Sequence, residues 1–132
     1  LRYTIRFDDE PAGHYMESAN ETLRRLEARG HRVELVKNYW PAKDNYSGIN
    51  TILRSPSGLT WELQFHTSKS LEVQARTRAW YEELRKEETP LPRKRELFAK
   101  MSRAWDDVAI PAGALDPAHN HARAEIVHRP QP

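Results

Sequence analysis

Two spacings of apolar residues alternate along the chain. From Leu1 to Phe7 apolar and polar positions take turns, Tyr3, Ile5 and Phe7 against Arg2, Thr4 and Arg6, the two-residue repeat of a strand with a basic outer face. Asp8, Asp9 and Glu10 precede Pro11, a residue suited to a first helical turn. Tyr15, Ala19, Leu23 and Leu26 then recur at helical spacing until Gly30, the expected stop. His31 to Tyr39 returns as a strand, with Val33 and Leu35 against Arg32 and Glu34, and the loop-like run Pro41 to Ser47 follows it. Ile49 to Ser55 alternates again, and Pro56, Ser57 and Gly58 turn the chain into WELQFHT, Trp61 to Thr67, so these two strands are antiparallel neighbours. In the second of them Leu59, Trp61, Leu63 and Phe65 form a core face, while Thr60, Glu62, Gln64 and His66 face the other way.

A helix is expected next, capped by Ser68 or Ser70 and carrying Val73, Thr77, Trp80, Tyr81 and Leu84 as its stripe. Thr89 to Pro92 interrupts it. A further helix from about Arg93 to Asp107 buries Leu97, Phe98, Met101, Ala104 and Trp105. Beyond Ile110 no period holds, and one short strand is expected near Ala124 to Val127. The order β-α-β-β-β-α-α predicts an α+β domain, a mixed sheet of four to five strands with helices mainly on one face. We expect residues 1–109 to form its core and 110–132 an irregular C-terminal tail.

Composition narrows the function classes. A chain of 132 residues is the size of one domain. With no cysteine there is no disulfide framework, no thiolate nucleophile and no cysteine-bound zinc. No apolar run approaches the ~20 residues of a spanning helix, so no membrane partner is expected. The net charge of +2, from 21 basic and 19 acidic residues, lacks the excess or basic run of a DNA-coating protein, and no DNA partner is expected. The chain enters a strand directly at Leu1 without a methionine, so we expect it to be a piece of something longer.

The polar row of the WELQFHT strand is the first candidate for chemistry. A carboxylate, an amide and an imidazole can hold a metal, orient a hydroxyl or accept a proton. If Arg2 and Arg6 share that face, guanidiniums stand beside Glu62, a pairing that suits phosphates and a hard cation, hence a nucleotide. Each residue also has a plain reading. Arg2 and Arg6 can pair with Glu34 or Glu62 as structural ion pairs, Tyr46 can pack on Trp40, and His66 can cap the following helix. His119, His121 and His128 have the wrong spacing for one helix face and are expected to be solvent-exposed.

The run from Asn45 to Thr67, NYSGINTILRSPSGLTWELQFHT, resembles the synthetase core of the RelA/SpoT family of alarmone pyrophosphokinases, and within it the compact toxin-like members. There a glycine-containing loop with a tyrosine precedes a hairpin whose second strand carries a Glu-x-Gln motif ending in threonine. The resemblance is good over Lys37 to Arg85 and weaker outside it. It implies an ATP-dependent, Mg2+-dependent transfer of pyrophosphate to the 3′-hydroxyl of an acceptor nucleotide or of a tRNA 3′ end. It also implies a toxin that acts in the cytoplasm after secretion within a larger protein, and an immunity or antitoxin partner.

Carried over by position, Glu62 would ligate Mg2+ and help deprotonate the hydroxyl, Gln64 would position it, and Tyr46 would stack on the acceptor base. Asn50 stands where longer members have a histidine beside the acceptor phosphates, and His66 where they have an arginine. Lys37, Lys43 or Arg54 would then hold those phosphates, with Arg2 and Arg6 nearby. The family's metal-binding aspartate falls at or before Leu1, and Asp8 and Asp9 lie at the wrong end of the strand to replace it. Two other classes fit the same residues: a catalytically silent binding module of this fold, or a toxin with other chemistry, ADP-ribosyl transfer or RNA cleavage, using His66 and Glu62 as an acid–base pair.

Overall fold

A computed structural model describes residues 1–42 and 46–128, so Lys43 and the first residue of the motif, Asn45, lie outside the described residues. Five strands, β1 (Arg2–Arg6), β2 (Arg32–Asn38), β3 (Ile49–Arg54), β4 (Thr60–His66) and β5 (Ala124–Ile126), form one mixed sheet in the order β1-β4-β3-β2-β5. The hairpin β3–β4 and the pair β2–β3 are antiparallel, while β1 and β5 join the two edges in parallel. Three helices complete the α+β fold: α1 (His14–Ala28), α2 (Ser68–Leu84) and α3 (Leu91–Asp106).

Helix α1 closes the core. Its stripe of Tyr15, Ala19 and Leu23 is buried with Val33, Val36, Leu53, Leu63 and Phe65 from the three central strands; in β2 a register shift between Val33 and Leu35 puts Val36, not Leu35, on the core face with Val33. The Tyr15 hydroxyl donates to the Phe65 carbonyl at 2.6 Å and accepts from the Trp40 indole N–H at 3.1 Å, tying helix, sheet and loop in a fully buried spot. Tyr15→Phe leaves that carbonyl and that N–H unpaired, and we expect a loss of about 2–3 kcal/mol in chemical denaturation. An unchanged midpoint would mean that both groups find other partners.

Several element ends differ from the sequence reading, each for a local reason. Helix α1 starts at His14, three residues after Pro11, because Asp9 takes the cap: its Oδ1 accepts from the backbone N–H groups of Gly13 and Tyr15. Helix α2 is capped by Thr67, not by Ser68 or Ser70, and Ser70 closes a reciprocal capping box with it. Helix α3 begins at Leu91, since Pro92 falls in the first turn, where a missing N–H costs nothing. Leu59 is in the turn end of the hairpin and 70% exposed, and Phe98 is 44% exposed on the outer side of α3.

The segment after Ile110 is tied to the sheet through Asn38. Its amide Nδ2 donates to the Ala114 carbonyl and to Asn120 Oδ1, and β5 then pairs with β2 from Val36 to Asn38. Among the described residues, no helix is long and apolar enough to cross a membrane.

Candidate functional site

The face of the sheet opposite α1 carries the candidate chemistry, and strand register arranges it in two rows. One row runs Arg2, Glu62, Ile52, Leu35 across β1, β4, β3 and β2; the next runs Thr4, Gln64, Asn50, Lys37. Register alone therefore makes Arg2 the neighbour of Glu62 and Gln64 the neighbour of Asn50. Arg2 Nε donates to Glu62 Oε2 at 2.7 Å, in a pair whose carboxylate side chain is 44% exposed. Both rows except Thr4 line a shallow cavity of about 250 Å3 together with Tyr39. Arg2, Tyr39 and Asn50 also line a second cavity of about 640 Å3, walled by Tyr46 and by helices α2 and α3, so the two are parts of one cleft.

Beneath the cleft runs a buried chain of hydrogen bonds. The Tyr46 hydroxyl donates to Asn50 Oδ1 at 2.6 Å and is 2.9 Å from His66 Nε2, while His66 Nδ1 is 2.8 Å from the Ser70 hydroxyl. With the Tyr46 proton given to Asn50, Nε2 carries the imidazole proton and donates to Tyr46, and Nδ1 accepts from Ser70. Ser70 in turn accepts from the Thr67 N–H at 2.9 Å. The N-terminal cap of α2 is thus linked through His66 and Tyr46 to Asn50, and with Oδ1 engaged, the Asn50 Nδ2 remains as a donor in the cleft. Gly48 lets the Tyr46 loop lie on the imidazole: a Cβ at this position, at φ +150°, would meet His66 Cε1 at 2.8 Å.

His66 corrects the sequence reading. It is fully buried with both ring nitrogens occupied, so it faces no nucleotide and acts on the cleft only through Tyr46. Burial pushes its pKa down to about 4, so the ring is neutral at pH 7. The unfolded chain protonates this ring near pH 6.5 and the folded chain does not until about pH 4. Stability therefore falls as pH drops through that window, by about 3 kcal/mol from this residue, and levels off below it. Denaturation midpoints of wild type and His66→Gln between pH 7 and 4 check this: the variant is expected to show a flatter profile, and identical profiles would overturn it.

Two arginines are also placed away from the cleft. Arg54 is at the far end of β3, where its Nε donates to Glu34 Oε1, and Arg6 is at the opposite end of β1 from Arg2, near Asp8. Neither lines either cavity. Lys37 does line the smaller one. Tyr46 packs edge-on against Tyr39 and His66 and tilted against Trp105, not on Trp40, and burial raises its pKa.

For a metal, the described residues on the sheet side of the cleft offer one carboxylate, Glu62, with the Gln64 amide beside it. The described residues contain no group of three His, Asp or Glu that could hold an ion. Asp8 accepts from the Ser68 N–H and hydroxyl, which hold its carboxyl below the usual range, and Asp9 Oδ2 accepts from the Ala112 N–H, so both acids are occupied in holding segments together. His121 pairs with Glu27 and His119 lies beside Asp116. Glu62 still fits a Mg2+ whose remaining ligands are phosphate oxygens and water, because Mg2+ at nucleotide sites is held by one or two carboxylates plus substrate.

Sequence reasoning missed the contribution of α2. Gln74, Thr77, Arg78, Tyr81, Glu82 and Arg85 all line the larger cavity. Their spacing of three and four residues was a signal, but Thr77 and Tyr81 read as part of the apolar stripe and the polar residues beside them as a solvated face.

No protein-family model matches the chain, and no curated protein sequence matches it. Among solved structures it is similar to the crystal structure of the complex between the type VI effector Tas1 and its immunity protein, with a TM-score of 0.52 at 17% identity, covering 80% of this chain and 64% of that one. A second is the small alarmone synthetase 1 from Bacillus subtilis bound to its product pppGpp, with a TM-score of 0.48 at 17% identity over 80% of this chain and 53% of that one. The chain thus spans less than two thirds of either. The likeness to the effector shows the fold alone: this chain shares the fold of that effector over most of its length.

Proposed function

We propose that the chain is the working domain of a growth-inhibiting toxin that transfers the β,γ-pyrophosphate of ATP to the 3′-hydroxyl of an acceptor nucleotide or of a tRNA end. The observation that carries this reading is the meeting of Arg2, Asn50, Glu62 and Gln64, from three strands, on the floor of one cleft walled by Tyr46. The acceptor 3′-oxygen attacks the β-phosphorus, the bond from that phosphorus to the oxygen bridging the α-phosphate breaks, and AMP leaves. Glu62 takes the proton of the attacking hydroxyl and Gln64 holds that hydroxyl or its ribose. Asn50 donates Nδ2 to phosphate oxygens, and Arg2 exchanges Glu62 for a phosphate as the nucleotide enters. Tyr46 offers its ring face to the acceptor base. Glu62 would hold Mg2+, which when bound neutralises the charge on the phosphates.

Residues 1–109 form the synthetase core in this reading, and 110–132 are an added tail. The neighbour that was crystallised with its immunity protein supports a similar immunity or antitoxin partner here, with delivery inside a longer secreted protein and action in the cytoplasm. ATP labelled in its γ-phosphate tests the reaction: label is expected to move to an adenine or guanine nucleotide or to tRNA, and its failure to move in the full-length protein would end the reading. A second reading, a silent binding module, is favoured by the Arg2–Glu62 pair and by the single carboxylate on the sheet floor. Calorimetric titration with ATP and Mg2+ separates the two, since the silent module gives no Mg2+-dependent heat.

A further inference from the structure

The larger cavity has a wall that the reaction above does not use. On α2, Arg78 and Arg85 are seven residues apart, two turns on one face, and both line this cavity with Arg2 on the opposite side. The other arginines of known pairing, Arg24, Arg25, Arg54 and Arg93, are each tied to a carboxylate. The Arg78 guanidinium has no hydrogen bond or ion pair among the described residues, and Arg85 only rests its Cζ 5.6 Å from the Tyr81 ring centroid. One carboxylate, Glu82, lines the same cavity. Neither guanidinium is engaged by a carboxylate among the described residues, and both stand beside a concave space with their donors open to an anion.

The remaining walls fit the rest of a nucleotide. Tyr39 and Tyr46 supply aromatic surface, and Gln74 supplies an amide able to donate and accept. Trp105 is fully buried behind them, and its indole N–H has no partner among the described residues. A volume of about 640 Å3 is in the range of small-molecule and cofactor sites. Two arginines whose backbones are about 10 Å apart along the helix axis suit a run of phosphates better than a single one.

We infer that Arg78 and Arg85 form a phosphate clamp, and that the larger cavity takes a nucleoside 5′-polyphosphate, base against the aromatic wall and phosphates toward α2. This inference deepens the function proposed above and rests on that reading for the identity of its ligands, ATP or a phosphorylated acceptor. It also replaces Arg54 and Arg6 as holders of the phosphate chain.

Calorimetric titration of the chain with a nucleoside, its monophosphate and its triphosphate, in adenine and guanine series, tests it directly. Affinity is expected to rise about tenfold or more from nucleoside to triphosphate. The double variant Arg78→Gln/Arg85→Gln should lose that rise while binding the nucleoside as before; both residues are exposed on the helix, and an unchanged melting curve confirms that the variant folds. The series with the larger rise tells whether ATP or a guanine acceptor supplies the phosphates. Equal affinity for nucleoside and triphosphate, triphosphate binding unchanged in the double variant, or tighter binding of single-stranded RNA with length would each overturn the inference. Triphosphate binding through these arginines without label transfer keeps the clamp and ends the proposed reaction, whereas undiminished label transfer in the double variant does the reverse.

Discussion

Glu62→Gln is expected to abolish pyrophosphate transfer and leave the fold intact. The carboxylate is half-exposed and its one partner among the described residues is Arg2, whose side chain is 62% exposed, so the pair contributes at most about 1 kcal/mol to stability. Its chemical role differs in scale. Phosphoryl transfer depends on positioning and charge compensation, and loss of one such group costs roughly 100-fold to 1,000-fold in rate or more. Glutamine keeps the shape and the acceptor oxygen but loses the charge that takes a proton and holds a cation. The measurement is label transfer beside a thermal melt: wild-type turnover in this variant would refute the site, and a large drop in melting temperature would show that the pair is structural.

Gly48→Ala is expected to have the largest effect on stability of any glycine-to-alanine change in the chain. The residue sits at φ +150°, and an added Cβ comes within 2.8 Å of His66 Cε1, 3.2 Å of Nδ1 and 3.1 Å of the Tyr46 hydroxyl. The imidazole cannot step aside without leaving Ser70 or Tyr46, because both of its nitrogens are engaged and no part of it reaches solvent. Backbone strain and overpacking together suggest a loss of about 2–5 kcal/mol, a fall of roughly 10 °C or more in melting temperature. Nucleotide affinity should fall with it, since displacing Tyr46 frees Asn50 to rotate its amide. A melt within two degrees of wild type would show that the loop adapts and that the buried chain does not fix Asn50.

Much of the frame was legible because it rests on local pattern. The alternation of Tyr3, Ile5 and Phe7, the Pro56–Gly58 turn and the helical recurrence of Tyr15, Ala19 and Leu23 each reflect the geometry of one segment, and each element formed where that pattern was regular. Ends were less legible, since caps come from residues remote in pattern: Asp9 for α1 and Thr67 for α2. Within the candidate site, Glu62 and Gln64 were readable as one strand face, but the burial of His66 was not. Alternation put it on the polar side, yet α2 begins at the next turn and its cap, with the Tyr46 loop, covers the ring.

What the chain by itself determined is therefore the set of elements and the polar row on β4, because a side chain's face follows from the two-residue repeat of its own strand. Only the tertiary structure decided which groups meet. Parallel pairing of β1 with β4 brings Arg2 to Glu62 and carries Arg6 away, antiparallel pairing of β3 brings Asn50 to Gln64 and carries Arg54 away, and the packing of α2 beside the sheet brings Arg78 and Arg85 to the cleft. Arg2 and Glu62 are 60 residues apart in the chain and the partners belong to different elements throughout, so no local repeat encodes them; register and helix packing do.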